Sequence, residues 1–245
     1  MTVLRTLPTS RHRLAVALGA AVVLTALLIA ANQVGAQGGS VEATAVTPSP
    51  SVAGVAEEDS LLGGIPQHGA ALGEATAPVT LVEYADLQCP YCGEWGRQTL
   101  PVLVDRYVRA GKLRIVFNGL AFVGPDSERA LRTAIAAGDH GHLWDVVAGL
   151  YIRQRAENSG WVTDDMIREL AATVPGLDAE QLLDDRWNDS VTDRVSRAAA
   201  RAAAVGVNST PTFAIGPTGG KLELAAVESL DPNGIVPAID EALRR

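Results

Sequence analysis

Cysteine occurs twice in 245 residues, at Cys89 and Cys92. A zinc centre built around the pair would need two more ligands. With no third cysteine, only His68, His140 and His142 lie on the same side of the N-terminal apolar run to supply them. A purely structural bridge across two residues would close too small a loop to constrain the unfolded chain much. Lysine is nearly absent, Lys112 and Lys221 standing beside abundant arginine and alanine, a bias we ascribe to coding composition and not to function. Aromatic residues make up 4% of the chain, so alanine, valine and leucine must fill the core. Acid is missing from residues 1–13, which carry Arg5, Arg11 and Arg13. All 28 acidic residues come later, against 17 basic ones, a net charge near −11 beyond the N-terminus. An excess of that sign argues against nucleic acid as a ligand.

Charge is missing altogether from Leu14 to Ala31, a run of 18 apolar or small residues behind a basic flank. The run is at the lower limit for a membrane-spanning helix and longer than a usual signal-peptide core. Residues 1–13 therefore read as a cytoplasmic basic tail and residues 14–31 as a transmembrane signal-anchor. Val34-Gly35-Ala36 keeps open a secreted form cleaved near Ala36. Both readings place the remainder outside the cytoplasmic membrane, where disulfides persist. Residues 32–68, with Gln37-Gly38-Gly39-Ser40 and Thr47-Pro48-Ser49-Pro50-Ser51, form a flexible linker. As a coil it would span roughly 30–35 Å. The folded domain is expected over residues 69–245.

The apolar run Val79–Tyr84 leads into Cys89-Pro90-Tyr91-Cys92 and then a helix. A cysteine at a helix N-terminus meets unpaired N–H groups and the positive dipole end, which stabilise a thiolate. The second cysteine, one turn on, can close a disulfide with the first. Pro90 fits the first turn, where its missing N–H costs nothing. Strand, turn, Cys-x-x-Cys and helix in that order read as a redox-active dithiol. Glu83 shares the period-two phase of Val79 and Leu81 and should point into the core. A lone buried carboxyl has a raised pKa. One reading makes Glu83 the proton acceptor or relay for Cys92; the other lets it reach water at the strand end.

Further along, 90–110 reads as a helix kinked at Pro101 and stopped at Gly111, and 112–117 as the next strand, a βαβ crossover. Residues from about 125 to 205 read as helices, with Asp126 or Ser127, Thr163 and Asp178 as caps and a break at Gly138–Gly141. His140 and His142 are expected in exposed turns, and Trp144, Trp161 and Trp187 in packing. Thr212–Ile215 reads as a strand after Pro211, with 221–224 as a hairpin partner and 234–243 as a closing helix. Composition alone would leave Pro211 trans.

Taken together, Ala77-Pro78-Val79-Thr80-Leu81-Val82-Glu83-Tyr84, Asp86-Leu87-Gln88-Cys89-Pro90-Tyr91-Cys92, Leu100-Pro101, Gly111-Lys112-Leu113-Arg114 and Thr210-Pro211-Thr212-Phe213 resemble the DsbA-like branch of the thioredoxin superfamily. The resemblance covers residues 69–245. It implies an α/β thioredoxin fold, a central mixed sheet flanked by helices, with the helical insertion at about 125–205. It implies that Pro211 is a cis-proline against the disulfide, that Thr210 offers its backbone to an extended substrate segment, and that Glu83 is the family's buried acid. Two departures stand out: Ser209 where the branch often has Gly, and Pro90-Tyr91 where the strongest oxidants have Pro-His. They leave Pro90 and Tyr91 as the tuning positions for redox poise.

The implied activity is thiol–disulfide exchange on exported cysteine-containing proteins through Cys89 and Cys92. A DsbB-like or VKOR-like membrane partner, also implied by resemblance, would reoxidise the pair. The same fold can run in reverse as a reductase or isomerase. A reading of another class is a tethered binding or chaperone module with a static bridge. No metal and no small-molecule cofactor is expected, since the dithiol carries the electrons. The ectodomain is expected to be a monomer.

Overall fold

The computed structural model describes residues 61–245. The basic tail, the apolar run and the linker up to residue 60 lie outside the described residues. Among the described residues no helix is long and apolar enough to cross a membrane.

Six strands form one mixed sheet in the order β1-β2-β4-β3-β5-β6. They are β1 (Gln67–His68), β2 (Ala71–Leu72), β3 (Val79–Asp86), β4 (Leu113–Leu120), β5 (Thr212–Pro217) and β6 (Glu223–Leu224). β3 is central, parallel to β4 and antiparallel to β5. Its side chains are apolar on both faces because both faces are covered. Val79, Leu81 and Ala85 belong to the main core, whereas Tyr84 joins a smaller cluster with Leu120, Ala202, Val207 and Ala214. Leu62 is buried in the main core, so ordered packing starts before Gly69, within the segment expected to be linker.

The β3–β4 crossover carries α1 (Pro90–Gln98), α2 (Leu100–Leu103) and a π-turn (Val104–Val108). Pro101 sits in the first turn of α2, so the expected kink is a break at Thr99. Gly111 follows at φ 64°, a left-handed stop that a side chain would strain.

Between β4 and β5 run α3 (Pro125–Ala137), α4 (Leu143–Ile152), α5 (Asp164–Ala171), α6 (Ala179–Asp185) and α7 (Asp189–Ala204). Thr163 and Asp178 cap α5 and α6 by accepting from the N–H groups of Met166 and Gln181. Neither Asp126 nor Ser127 caps α3. Both face inwards, Asp126 accepting from the N–H groups of Gly160 and Trp161 and Ser127 donating to Asp86. α8 (Pro232–Arg244) closes the chain against β3 and β5.

Other expectations need correction. His140 and His142 are half-buried and paired, with Asp185 at 3.2 Å and Asp145 at 2.8 Å, because the turn folds back onto neighbouring carboxylates. Trp144 and Trp161 are buried, but Trp187 is half exposed, held by the guanidinium groups of Arg132 and Arg186 over its ring.

Candidate active site

The site forms where β3 ends and α1 begins. Cys89 is the N-cap of α1 in an extended conformation, and Pro90 takes the first helical position. The Cys89 N–H donates to the Asp86 carbonyl, and the Gly93 N–H donates to the Cys89 carbonyl. Cys92 lies one turn into α1 and is fully buried. Both cysteines are free thiols, so the geometry is that of the reduced pair. Tyr91 between them is 62% exposed and faces solvent.

The pair is electrostatically split. Cys89 is lowered from 9.0 to about 6, first by the Cys92 side chain, then by Thr210 and the backbone N–H groups of Cys92 and Tyr91, against an opposing effect of burial. Cys92 is pushed far up, first by burial and then by Cys89 and Glu83. A thiol beside a thiolate in a closed site keeps its proton.

From the other side, the Thr210–Pro211 peptide bond is cis, and the Cys89 Sγ approaches the Thr210 carbonyl oxygen at 3.4 Å. β5 starts at the next residue and pairs with β3, Tyr84 opposite Thr212 and Glu83 opposite Phe213. Residues 121 positions apart thus meet at one sulfur.

Glu83 points into the core and is fully buried, and neither carboxyl oxygen has a hydrogen-bond partner among the described residues. Burial raises it from 4.5 to about 8, an effect that the Tyr151 hydroxyl opposes.

Several site residues escaped the sequence reading. Asp86, at the end of β3, is buried and accepts four hydrogen bonds, from the N–H groups of Gln88, Phe122 and Val123 and from the Ser127 hydroxyl. Gln88 bonds to Ser127 and Asn158. Gln154, just beyond α4, donates to the carbonyls of Leu87 and Cys89, each at 3.0 Å. These polar side chains lock the turn that aims Cys89. Asp86 and Gln88 could have been noticed as polar residues flanking the dithiol. Gln154 and Tyr151 carry no local signal, because only the tertiary fold brings them here. Among the described residues no group of three or more His, Cys, Asp or Glu is placed to hold a metal ion.

Comparison with known proteins bears on the fold and the family. A family model described as thioredoxin matches residues 67–229. The chain is 31% identical over 144 residues to a probable disulfide bond formation protein D of Bacillus cereus, covering 58% of this chain and 67% of the relative. It is 24% identical over 144 residues to the disulfide bond formation protein D of Bacillus subtilis, covering 58% and 65%. The alignments thus span about two thirds of these relatives. The crystal structure of oxidised BdbD from Bacillus subtilis superposes with a TM-score of 0.63 at 22% identity, over 74% of this chain and 98% of that one. A thioredoxin-like oxidoreductase from Silicibacter pomeroyi superposes with a TM-score of 0.57 at 28% identity, over 76% and 98%. The chain belongs to the thioredoxin family, in its DsbA-like branch of thiol:disulfide oxidoreductases.

Proposed function

We propose that the protein donates disulfides to exported cysteine-containing proteins through Cys89 and Cys92, on the extracytoplasmic side of the membrane. The observation that carries this reading is the split between the two cysteines, Cys89 held near 6 and Cys92 far above its ordinary value. A low-pKa thiolate is a good leaving group, and stabilising the reduced pair makes the oxidised pair a stronger oxidant. The names of the Bacillus relatives, disulfide bond formation proteins, point in the same direction.

In the oxidised protein a substrate thiolate attacks the Cys89 sulfur. The Cys89–Cys92 bond breaks, and Cys92 leaves with the electron pair and takes a proton. A second substrate thiolate then attacks the substrate sulfur of the mixed disulfide and expels the Cys89 thiolate. The substrate has lost two electrons and the Cys89–Cys92 pair has gained them. Glu83 is the proton relay for Cys92. The backbone of Thr210 takes the extended substrate segment beside Cys89, and Pro211 shapes that groove. Pro90 and Tyr91 set the poise of the helix N-terminus. A DsbB-like or VKOR-like membrane protein reoxidises the pair, and the apolar run over 14–31 tethers the domain near it.

Cys89→Ser should abolish disulfide transfer to a reduced, unfolded substrate, and Cys92→Ala should accumulate mixed disulfides that non-reducing gels resolve. Transfer retained by Cys89→Ser would rule out the reaction as written.

A further inference from the structure

Cys92, Trp95 and Gly96 occupy one face of α1, at i, i+3 and i+4. Over Gly96 the helix has no side chain, and the ring of Tyr151 fills the space: a Cβ there would stand 2.7 Å from Tyr151 Cδ2. Tyr151 belongs to α4, and its carbonyl is held by Arg97 Nη1 at 2.7 Å. The residue is buried, and its hydroxyl has no hydrogen-bond partner among the described residues. Buried phenols ordinarily find partners. Here an unpartnered hydroxyl neighbours an unpartnered carboxyl, that of Glu83, whose ionisation it already favours.

We infer that Tyr151 is a positioning residue for proton transfer at Cys92, its hydroxyl donating to the Glu83 carboxylate when Glu83 stands ready to accept the proton. The inference rests on the reading of Glu83 as the relay. When the reduced protein is reoxidised, the oxidant first forms a mixed disulfide with Cys89. Cys92 then passes its proton to Glu83 and attacks the Cys89 sulfur, and the oxidant's thiolate leaves with the bonding pair. A buried carboxylate without a donor is costly and forms only at higher pH. Burial and then Glu83, Cys92, Asp86 and Cys89, all of them acidic groups, raise Tyr151 and keep its hydroxyl protonated. Asp86 is occupied by its four donors. The Arg97 guanidinium binds the Tyr151 main chain and not its phenol. Trp95 Nε1, also unpartnered, belongs to a ring packed on Phe213 at 4.9 Å and does not titrate.

The test uses the reduced full-length protein mixed with saturating oxidised glutathione. Alkylation quenches at timed intervals, resolved by mass spectrometry, isolate the intramolecular attack of Cys92 on the mixed disulfide. Its rate is measured across pH for the unaltered protein, Tyr151→Phe and Glu83→Gln. Tyr151→Phe keeps the ring on Gly96 and removes only the donor. Its rising limb should move up by about one pH unit, slowing the step about tenfold at pH 7. The Glu83 carboxyl band in infrared difference spectra should titrate correspondingly higher. Glu83→Gln should lose the limb. A Tyr151→Phe profile that superposes on that of the unaltered protein, with the limb still lost in Glu83→Gln, overturns the role of Tyr151 and leaves the relay standing. A Glu83→Gln profile unchanged from that of the unaltered protein overturns the relay and this inference with it.

Discussion

Cys89 and Cys92 are chemically the same residue three positions apart, and their surroundings make them opposites. Cys89 has the Cys92 side chain, then Thr210 and backbone N–H groups, to hold a thiolate, while Cys92 has burial and then negative neighbours. Glu83 adds a second conflict, a carboxyl fully inside the core. Its folded pKa, about 8, is raised above the ordinary 4.5. The stability linked to it is therefore fully present below pH 4.5 and is lost as pH rises through 8. Glu83→Gln should match the unaltered protein near pH 4 and exceed it by roughly 4 kcal/mol at pH 8, since each tenfold change in proton affinity is worth about 1.4 kcal/mol. Denaturant midpoints of both proteins at the two pH values check this. A gap that does not change with pH would mean that Glu83 titrates in the fold as it does in the unfolded chain. The two cysteines and the inward-pointing Glu83 were legible as residues, from spacing and strand phase. Tyr151 and Gln154 were not, because they act at the site from more than 50 positions away along the chain.

At the scale of elements, α1 has to meet both β5, through Trp95 on Phe213, and α4, and a glycine makes room for the second contact. Gly96 in a helix interior would ordinarily cost up to about 1 kcal/mol relative to alanine. Here a Cβ would press on the Tyr151 ring at 2.7 Å, and overpacking of that kind costs about 1–3 kcal/mol. The steric term wins, so Gly96→Ala should lower the denaturation midpoint by the equivalent of roughly 1 kcal/mol, and a stabilised variant would contradict the packing described. Elements with strong local signals were legible. The apolar run of β3, the Thr163 and Asp178 caps and the Gly111 stop appear where side-chain chemistry demands them. The readings that failed are those where a long-range partner decides. Asp126 and Ser127 have cap chemistry but are recruited inwards, by two backbone N–H groups and by Asp86. Trp187 is a large apolar residue, yet two arginines hold it at the surface.

At the scale of the whole molecule, two chain segments far apart in sequence meet at Cys89. The Cys-Pro-Tyr-Cys turn comes from the first half of the fold, and Thr210–Pro211 arrives after the five-helix segment α3–α7. That segment also braces the turn through Gln154 and supplies Tyr151. The order β3, α1, β4 and the Thr-Pro-Thr-Phe strand made the fold class legible. The sheet order and the packing of the helical segment depend on contacts that local patterns do not encode. The central claim, that this arrangement donates disulfides, is a statement about the relative stability of the reduced and oxidised pairs. It is tested most directly by the reduction potential of the Cys89–Cys92 couple, titrated against glutathione. Disulfide donation requires a value well above that of thioredoxin, in the oxidising range from about −180 mV to about −120 mV. A value near about −270 mV, that of thioredoxin, would contradict the account and make the protein a reductase.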